Sequence, residues 1–387
     1  MRGHIKRRCP KPVQGQPKCS SSCGHPYAFW LDLPRGEDGK RRQTSRSGFA
    51  TKREAQAALT EAMAQVNSRT FTEPDTVTVA AYLATWLNGL DRKPATMEAY
   101  RRVVVRQLTP ALGRIRLQHL TPPQIKVAYR AMQDESGLSP TTVQLVHQVL
   151  SKALSDAVDD GLLASNPAGK VKAPARATAE MSTWTAEQAG AFLRHVASER
   201  LAGMWRLFLT AGMRRGEVAA LRWQDVDLSR GTLSVRQTGN IIRGEWTVGT
   251  PKGRKDASAK TRRLALDAGT VDALRRHRAQ QLQERLAWGA DWQDHGLVFV
   301  REDGAPLNPS TVGQQLTVRA RQAGLPHVRV HDLRHTYATL ALEAGVHPKV
   351  VSERLGHANI GITLNLYSHV TEGMDRGAAD LVAGLFS

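Results

Sequence analysis

The stretch "HDLRHTYATLALEAGVHPKVVSERLGHANIGITLNLYSHV", residues 331–370, decides both the fold and the function of this chain. Its apolar residues recur at helical spacing and glycines interrupt them, which predicts short helices broken at Gly345 and Gly356. Between the apolar positions lie polar side chains that a purely structural helix does not need: His331, Arg334, His335, His357, Tyr367 and His369. A metal site, a helical core face and a phosphate-handling site are the three interpretations to be separated.

The first two of these histidines bear on the metal interpretation. His331 and Arg334 are three positions apart on a predicted helix, so both project from one face. His331 and His335 have the i, i+4 spacing of a zinc pair. Residue 332 is an aspartate and no third acidic ligand follows at a suitable distance, so a metal site is the weaker interpretation. We expect His335, His369 and Asp332 to be structural.

The whole chain is strongly basic. Its 387 residues include 54 lysines and arginines against 35 acidic residues, for a net charge of +19. The first 70 residues alone carry 14 basic and 5 acidic side chains. Such an excess indicates a polyanionic partner, because neutralised phosphates release condensed counterions. A basic protein without a nucleic-acid role is the alternative.

The N-terminus predicts a cytoplasmic protein that does not enter a membrane. "MRGHIKRRCP" is basic, but no apolar stretch follows it as in a signal peptide. Clustered cysteines suit a reducing compartment better than a disulfide framework. They also form, with one histidine, a candidate site for structural zinc, although the spacing fits no ordinary zinc finger and unligated cysteines are the alternative. The candidate ligands are Cys9, Cys19, Cys23 and His25.

Composition and periodicity divide the chain into three predicted domains. Residues 1–70 contain a β-hairpin pattern around Pro34–Gly39, followed by a helix that a Thr51–Glu54 capping box begins. Residues 75–172 show helical periodicity in four segments whose prolines, at 94, 122, 123 and 140, suit first-turn positions. Residues 181–387 are mixed, with helices at 185–199, 202–211, 214–222 and 268–287, strands at 232–237, 245–249 and 262–266, and a further buried strand in "HGLVFV", residues 295–300.

Two more motifs of the last domain carry polar residues. In "TAGMRRGEVAALRWQDVDL", residues 210–228, Arg214 opens a helix and Glu217 follows one turn later, so the carboxylate can orient the guanidinium. A surface ion pair is the alternative. In "TVGTPKGRKDASAKTRRLALD", residues 247–267, two strands flank a basic loop that can follow a phosphate backbone, with a lysine as proton donor. A solvated run of charges is the alternative there.

Taken together, the order Arg, Lys, HxxR, LGH, Tyr resembles the tyrosine recombinase (phage integrase) family across residues 181–370. "GMRRGE", the basic hairpin, "HDLRHT" and "LGH…T…YSH", whose threonine is Thr363, stand in the family's order. The resemblance implies a multidomain α+β protein. It would have a small N-terminal three-stranded sheet plus helix that binds arm-site DNA, an all-α SAM-like core-binding domain, and a mixed, mainly α catalytic domain with a small β-sheet.

The resemblance also implies roles for single residues in a metal- and ATP-independent reaction through a 3′-phosphotyrosyl intermediate. Tyr367 would be the nucleophile, Lys252 the general acid and His331 the acid/base. Lys255 is a rival to Lys252, but "TPKG" aligns better with the family pattern. The phosphate would be stabilised by Arg214, Arg334 and His357, supported by Glu217, and further DNA contacts would come from Arg254, Lys255, Arg41 and Arg42.

The implied partners are double-stranded attachment-site DNA, at core and arm sites, and three further copies of the chain in a homotetramer that passes through a Holliday junction. A directionality factor or a host DNA-bending protein is a further implied partner, and the location would be the bacterial cytoplasm at the nucleoid. The C-terminal segment, with Met374, Leu381, Leu385 and Phe386, would form a helix that docks on a neighbouring protomer or on its own domain.

Two rival functions share this fold. A DNA-binding regulator without catalysis is one, but the intact Arg, Lys, His, Arg, His, Tyr set argues against it. A relaxing enzyme like the type IB topoisomerases is the other, and it would not need an arm-binding domain. An integrase of a phage or integrative element is therefore the function that the sequence favours.

Overall fold

A computed structural model describes residues 3–9, 23–33, 42–67, 76–175, 182–251, 261–357, 359–361, 363–364 and 386, without the side chains of residues 65 and 67. Contacts divide the chain into two units, Met1–Thr178 and Ala179–Ser387. In the described residues, none of the helices is both long and apolar enough to cross a bilayer.

The N-terminal part of the first unit is a three-stranded antiparallel sheet with one helix packed on it. Its elements are β1 (Gly3–Arg7), β2 (Tyr27–Leu33), β3 (Arg42–Phe49) and α1 (Lys52–Asn67), with β2 in the centre. The capping box is present, since Glu54 N donates to Thr51 Oγ1 at 3.2 Å and Thr51 N donates to Glu54 Oε2 at 3.4 Å. The core that sheet and helix share is small: Phe29, Leu31, Leu59, Ala62 and Val66.

The rest of the first unit is helical, as its periodicity predicts. Prolines occupy the first turns of four of these helices, at the position where helices tolerate a missing N–H. A π-helical turn, Val104–Leu108, lies just before Pro110, which has no N–H to donate within the helix. The helices are α2 (Val79–Gly89), α3 (Pro94–Val103), α4 (Thr109–Leu112), α5 (Pro122–Asp134) and α6 (Pro140–Asp159).

The second unit surrounds a larger core in which Trp184, Phe192, Trp205 and Phe208 pack against one another. Two small sheets lie beside the helices. The first contains β4 (Val226–Asp227), β5 (Thr232–Val235) and β8 (Arg262–Ala265) in the order β4-β5-β8, and the second contains β6 (Thr238–Ile242) and β7 (Glu245–Gly249). The helices are α7 (Ala186–His195), α8 (Ala202–Thr210), α9 (Arg215–Ala219), α10 (Ala268–Trp288), α11 (Pro309–Gln322), α12 (Val330–Glu343) and α13 (Pro348–Leu355).

This architecture confirms the predicted fold class, and one predicted element is wrong. Residues 295–300 are not a strand: Leu297 and Val300 make only isolated bridges, to Arg222 and Pro306. The four residues 297–300 are nevertheless buried. The apolar run was therefore correctly predicted to lie in the core, but wrongly predicted to form a strand. Strands β4 and β6 were not predicted. The expected basic hairpin is wrong, because β7 pairs with β6 and β8 pairs with β5. The expected C-terminal helix lies outside the described residues except for Phe386.

Candidate phosphate-binding site

The site begins in the short connection between α8 and α9. Arg214 is the N-cap of α9, and Glu217 lies in its first turn. The Glu217 carboxylate accepts the Arg214 backbone N–H at 3.0 Å and its guanidinium at 2.8 Å. Glu217 is only 1 % exposed, which excludes the alternative of a surface ion pair. One carboxylate therefore caps the helix and fixes the orientation of the arginine at once.

Glu217 holds a second guanidinium, from Arg262 at the start of β8. Arg262 donates to Oε2 of Glu217 at 2.5 Å and to Oε1 at 3.4 Å. Its Nη1 also donates to the carbonyl of Leu355 at 2.7 Å. Arg262 therefore ties strand β8 to both the start of α9 and the end of α13.

The turn after α13 collects guanidinium donors from three elements. Arg334, on α12, donates to Gly212 O at 2.7 Å and to Leu355 O. Arg214 donates to Gly356 O at 2.9 Å. The carbonyls of this turn, which belongs to the "LGH" motif, thus hold the head groups of Arg214, Arg262 and Arg334 close together.

His357 follows this turn directly. Its Nδ1 lies 2.9 Å from Thr363 Oγ1. When the threonine hydroxyl donates to Nδ1, the neutral ring carries its proton on Nε2, which is then a donor for an anion. Burial, followed by the charges of Arg334 and Arg214, lowers the pKa of His357 to about 4, so the ring is neutral at pH 7.

His331 lies in the first turn of α12, on the solvent-exposed side of the site. Its ring packs edge-on against His335, with 4.9 Å between the ring centroids. Partial desolvation, followed by the charges of His335 and Arg334, lowers the pKa of His331 to about 4. A neutral imidazole facing solvent can accept a proton, which suits a general base. His335, for which we expected a structural role, contacts His331 directly.

The charges of the site are unbalanced in favour of an anion. Burial opposes the charge of Glu217, but Arg262 and Arg214 outweigh it and lower the pKa of this carboxyl. Burial, then the charge of Arg214, lowers the pKa of Arg334 to about 9. Within the described residues, three guanidiniums and one carboxylate leave two positive charges without a carboxylate partner, and a phosphodiester would supply the missing negative charge.

Several predicted residues lie outside the described part of the chain: Lys252, Arg254, Lys255, Tyr367, His369, Arg41 and Cys19. Arg42 begins β3 and is exposed. Asp332 caps α12, where it binds the backbone and side chain of Arg329. Among the described residues, the one group of three potential metal ligands is Cys9, Cys23 and His25, so the metal alternative for His331 and His335 gains no support.

Two residues have contacts in the site that were not predicted. Arg262 was expected only as one charge of the basic stretch 247–267, and Thr363 stood in the "LGH…T…YSH" block without a role. Arg262 could have been found from strand alternation, because it shares a face with Leu264, which is fully buried. The sequence block marked the position of Thr363, but its contact with His357 depends on the path of the chain after α13.

A cluster of guanidiniums and imidazoles on a mainly α domain can bind the phosphate of a phosphodiester. Residues 182–374 match the phage integrase family, and residues 22–66 match an arm DNA-binding domain. The chain belongs to the phage integrase family, which confirms the resemblance seen in its sequence. The expected kind of enzyme, a tyrosine recombinase, is confirmed with it.

Relatives with similar sequences have consistent names. A "tyrosine recombinase XerC-like" protein of Caldanaerobacter subterraneus subsp. tengcongensis is 28 % identical over 382 residues, which cover 93 % of this chain and 96 % of the relative. The ICEBs1 integrase of Bacillus subtilis is 24 % identical and covers 78 % of this chain and 80 % of its own.

Solved structures share the fold at lower identity. The Tn1549 transposon integrase bound to transposon right-end DNA has a TM-score of 0.66 at 21 % identity, covering 79 % of this chain and 99 % of that one. A lambda integrase tetramer bound to a Holliday junction has a TM-score of 0.56 at 18 % identity, covering 88 % and 92 %. These likenesses support the fold.

Proposed function

We propose that this protein is the integrase of a phage or integrative element, a site-specific recombinase that cuts and rejoins DNA through a covalent phosphotyrosine. One observation carries the proposal. Arg214, Arg334 and His357, which are far apart in sequence, converge on the turn at Leu355 and Gly356 with two uncompensated positive charges. A regulator that only binds duplex DNA has no need for such a buried cluster.

In the proposed reaction the guanidiniums of Arg214 and Arg334 bind the non-bridging oxygens of the scissile phosphate. His357 donates to the same oxygens, and these donors stabilise the charge that develops in the transition state. Because Leu355, Gly356, Gly212 and Glu217 already hold the arginines, little reorganisation is needed when DNA arrives.

Tyr367 supplies the nucleophile in this proposal. Its hydroxyl oxygen attacks phosphorus, the P–O5′ bond breaks, and a 3′-phosphotyrosyl bond and a free 5′ hydroxyl result. His331 accepts the phenol proton, and Lys252 donates a proton to the departing oxygen. The new bond conserves the phosphodiester's energy, so rejoining by a 5′ hydroxyl of the other duplex requires neither ATP nor a cofactor.

The proposal extends to partners and domains. Residues 1–70 would bind arm-site DNA, residues 75–172 would bind the core site together with the catalytic domain, 181–387, and four copies would assemble on two duplexes. A directionality factor or a DNA-bending host protein would select integration or excision. This places the protein at the nucleoid in a bacterial cytoplasm. A zinc ion at the N-terminal cysteines would stabilise the fold without entering the reaction.

The experiment is capture of a covalent adduct on an attachment-site duplex taken from the DNA that flanks the gene. A nick beside the scissile phosphate lets the cleaved fragment diffuse away, so an SDS-resistant complex accumulates. We expect this complex with the wild-type protein and none with Tyr367→Phe. Tyr337→Phe is the matched control, since the hydroxyl of Tyr337 only accepts a hydrogen bond from Arg354, and it should retain the adduct.

Mass spectrometry of the adduct would locate the modified residue. Wild-type protein that binds the duplex in a mobility-shift assay but never forms an adduct would overturn the proposal and favour a regulator. Adducts without strand exchange between two duplexes would favour a relaxing enzyme instead.

A further inference from the structure

The pairing of β1 with β2 continues beyond the two strands. The register runs from Gly3 opposite Leu31 to Arg7 opposite Tyr27. Arg8 N then donates to Pro26 O at 2.9 Å, which extends the same register by one residue. One step further, Cys9 lies opposite His25, on the face of the ladder that also carries Arg7 and Tyr27.

The continued ladder gathers three donor atoms of the kind that zinc prefers. The sulfurs of Cys9 and Cys23 are 3.4 Å apart. These sulfurs and a ring nitrogen of His25 all lie within 4.8 Å of one another, and all three residues are half-buried. Two sulfurs bound to one tetrahedral zinc are roughly 3.8 Å apart, as bond lengths of about 2.3 Å require. The Cys23–His25 spacing, which looked awkward in the sequence, is therefore compatible with one centre.

The surroundings suit a centre rich in thiolate. The guanidinium of Arg7 stacks on the ring of Tyr27, 4.7 Å from its centroid, and its Nη1 lies 4.0 Å from Cys23 Sγ. A positive charge in this place compensates the negative charge that thiolate ligands bring to a metal. A nitrogen and sulfur donor set favours zinc over magnesium and calcium, which prefer oxygen ligands.

The N-terminal sheet also has a structural need for such a bond. Its core contains five buried apolar residues, two from β2 and three from α1. Domains of this size seldom reach useful stability from the core alone, and many use a metal or disulfides. The chain between Cys9 and Cys23 belongs to the connection from β1 to β2, and one metal ion bound by both cysteines would close this connection into a loop.

We propose that Cys9, Cys23 and His25 bind one zinc ion that clamps the open end of the β1–β2 ladder. Cys19, the remaining cysteine of the chain, lies outside the described residues. The zinc would stabilise the N-terminal sheet. Because its ligands are far in sequence from the catalytic motifs, it would act through folding and not in the reaction. This proposal stands without the proposed function, because metal content is measured in the absence of DNA.

The experiment measures metal bound to the full-length protein, expressed in medium with zinc and purified in reducing buffer without chelators. Plasma mass spectrometry should find about one zinc per chain in the wild type. Cys9→Ser and His25→Ala should lose most of it. His4→Ala is the matched control: His4 stacks on Trp30 on the opposite face of the same sheet, and this variant should keep its zinc.

Replacement of zinc by cobalt tests the ligands directly. The wild type should show sulfur-to-cobalt charge-transfer absorption in the near ultraviolet and intense visible bands of a four-coordinate ion, and Cys23→Ser should weaken the former. A wild-type protein purified without zinc would overturn the proposal. So would full zinc content in Cys9→Ser, or a Cys9–Cys23 disulfide in the reduced preparation.

A measurement on the wild type alone covers the case in which the variants do not fold. A strong chelator should make trypsin cut within residues 1–70 several-fold faster, and added zinc should restore protection. The cutting rate within residues 182–251 should not change. Equal rates with and without chelator would contradict a clamp on the N-terminal sheet.

Discussion

At the scale of single residues, Glu217 explains why the arginines of the site hold their positions. Its buried carboxylate binds Arg214 on one side and Arg262 on the other. Without Arg262 the buried carboxylate would keep only one charged partner, and Arg214 would have a looser anchor. In the proposed reaction Arg262 would therefore be a positioning residue, which acts on the phosphate through Glu217 and the carbonyl of Leu355.

The first prediction concerns the bidentate contact of Arg262. Arg262→Lys keeps the charge but loses the fork that spans both oxygens of Glu217 and reaches Leu355 O, so Arg214 should be misplaced. We expect single-turnover cleavage to slow by about 10- to 100-fold, with little change in affinity for the duplex. Arg263→Lys, at the exposed neighbouring position of β8, is the control. A similar loss in both variants would indicate a DNA contact in place of positioning.

The second prediction concerns pH. The folded protein holds the pKa of His357 at about 4, below its ordinary value of about 6.5. Between these values the unfolded chain binds a proton that the folded chain does not, so the free energy of unfolding must fall as the pH drops. The contribution of one such group is at most about 1.4 kcal/mol per pH unit, and less because the ring is only half-buried.

His357→Asn should therefore reduce the slope of stability against pH between about pH 6.5 and 4.5. Urea unfolding of the protein without DNA, at pH 7 and pH 5, measures this slope. Equal slopes in the wild type and the variant would contradict a neutral His357 in the folded state.

The sequence predicted the roles of site residues only where a known motif contains them. Arg214, His331, Arg334 and His357 stand in short motifs and meet in the structure. The roles of Arg262 and Thr363 were not predicted, because they depend on contacts that folding creates: a long-range contact with Glu217 and a local one with His357. The carbonyls of Leu355 and Gly356 are backbone groups, which no side-chain pattern can indicate.

At the scale of elements, glycines end the last helices, as the sequence predicted. Gly345 follows α12 and Gly356 follows α13, both with a left-handed backbone, at φ 78° and 65°. A side chain at Gly345 would meet nothing within 4 Å, whereas a Cβ on Gly356 would lie 2.5 Å from Nη1 of Arg262. The second glycine therefore serves two purposes, a helix end and the close approach of a guanidinium.

This difference gives a paired prediction. Gly345→Ala and Gly356→Ala should each lower stability by about 1 to 2 kcal/mol, because alanine is strained in the left-handed region. Only Gly356→Ala should also push Arg262 away from Leu355 O, and so lower the cleavage rate by a further tenfold or so. Thermal unfolding and adduct formation measure the two effects. Equal cleavage by both variants would show that the close approach at Gly356 is not needed.

Predictions of elements failed where burial alone had to identify a strand. Residues 297–300 are all buried, as in a central strand, but they form only two isolated bridges, from Leu297 to Arg222 and from Val300 to Pro306. A short apolar run cannot distinguish a ladder from a packed loop. The helices of residues 79–159 were predictable because periodicity, prolines and caps all agreed.

At the scale of the whole molecule, the apolar cores of the described residues do not mix. The core of the helical segment uses residues from Val79 to Val171, and the large core of the second unit uses residues from Trp184 to Leu333. Each core is closed within its own stretch of chain, which is the reason that composition and periodicity could separate the segments. We therefore expect the helical segment, residues 79–171, and the second unit to unfold as separate cooperative units.

Matched leucine truncations test this independence. Leu150 is 0 % exposed in the helical core, and Leu207 is 0 % exposed in the core of the second unit. Each change to alanine should cost about 3 kcal/mol in its own unit. In calorimetry or urea unfolding, Leu150→Ala should move the transition of the helical segment and leave the other in place, and Leu207→Ala should do the reverse. If either variant shifts both transitions equally, the two segments fold as one, and core-site and catalytic functions would not belong to separable domains.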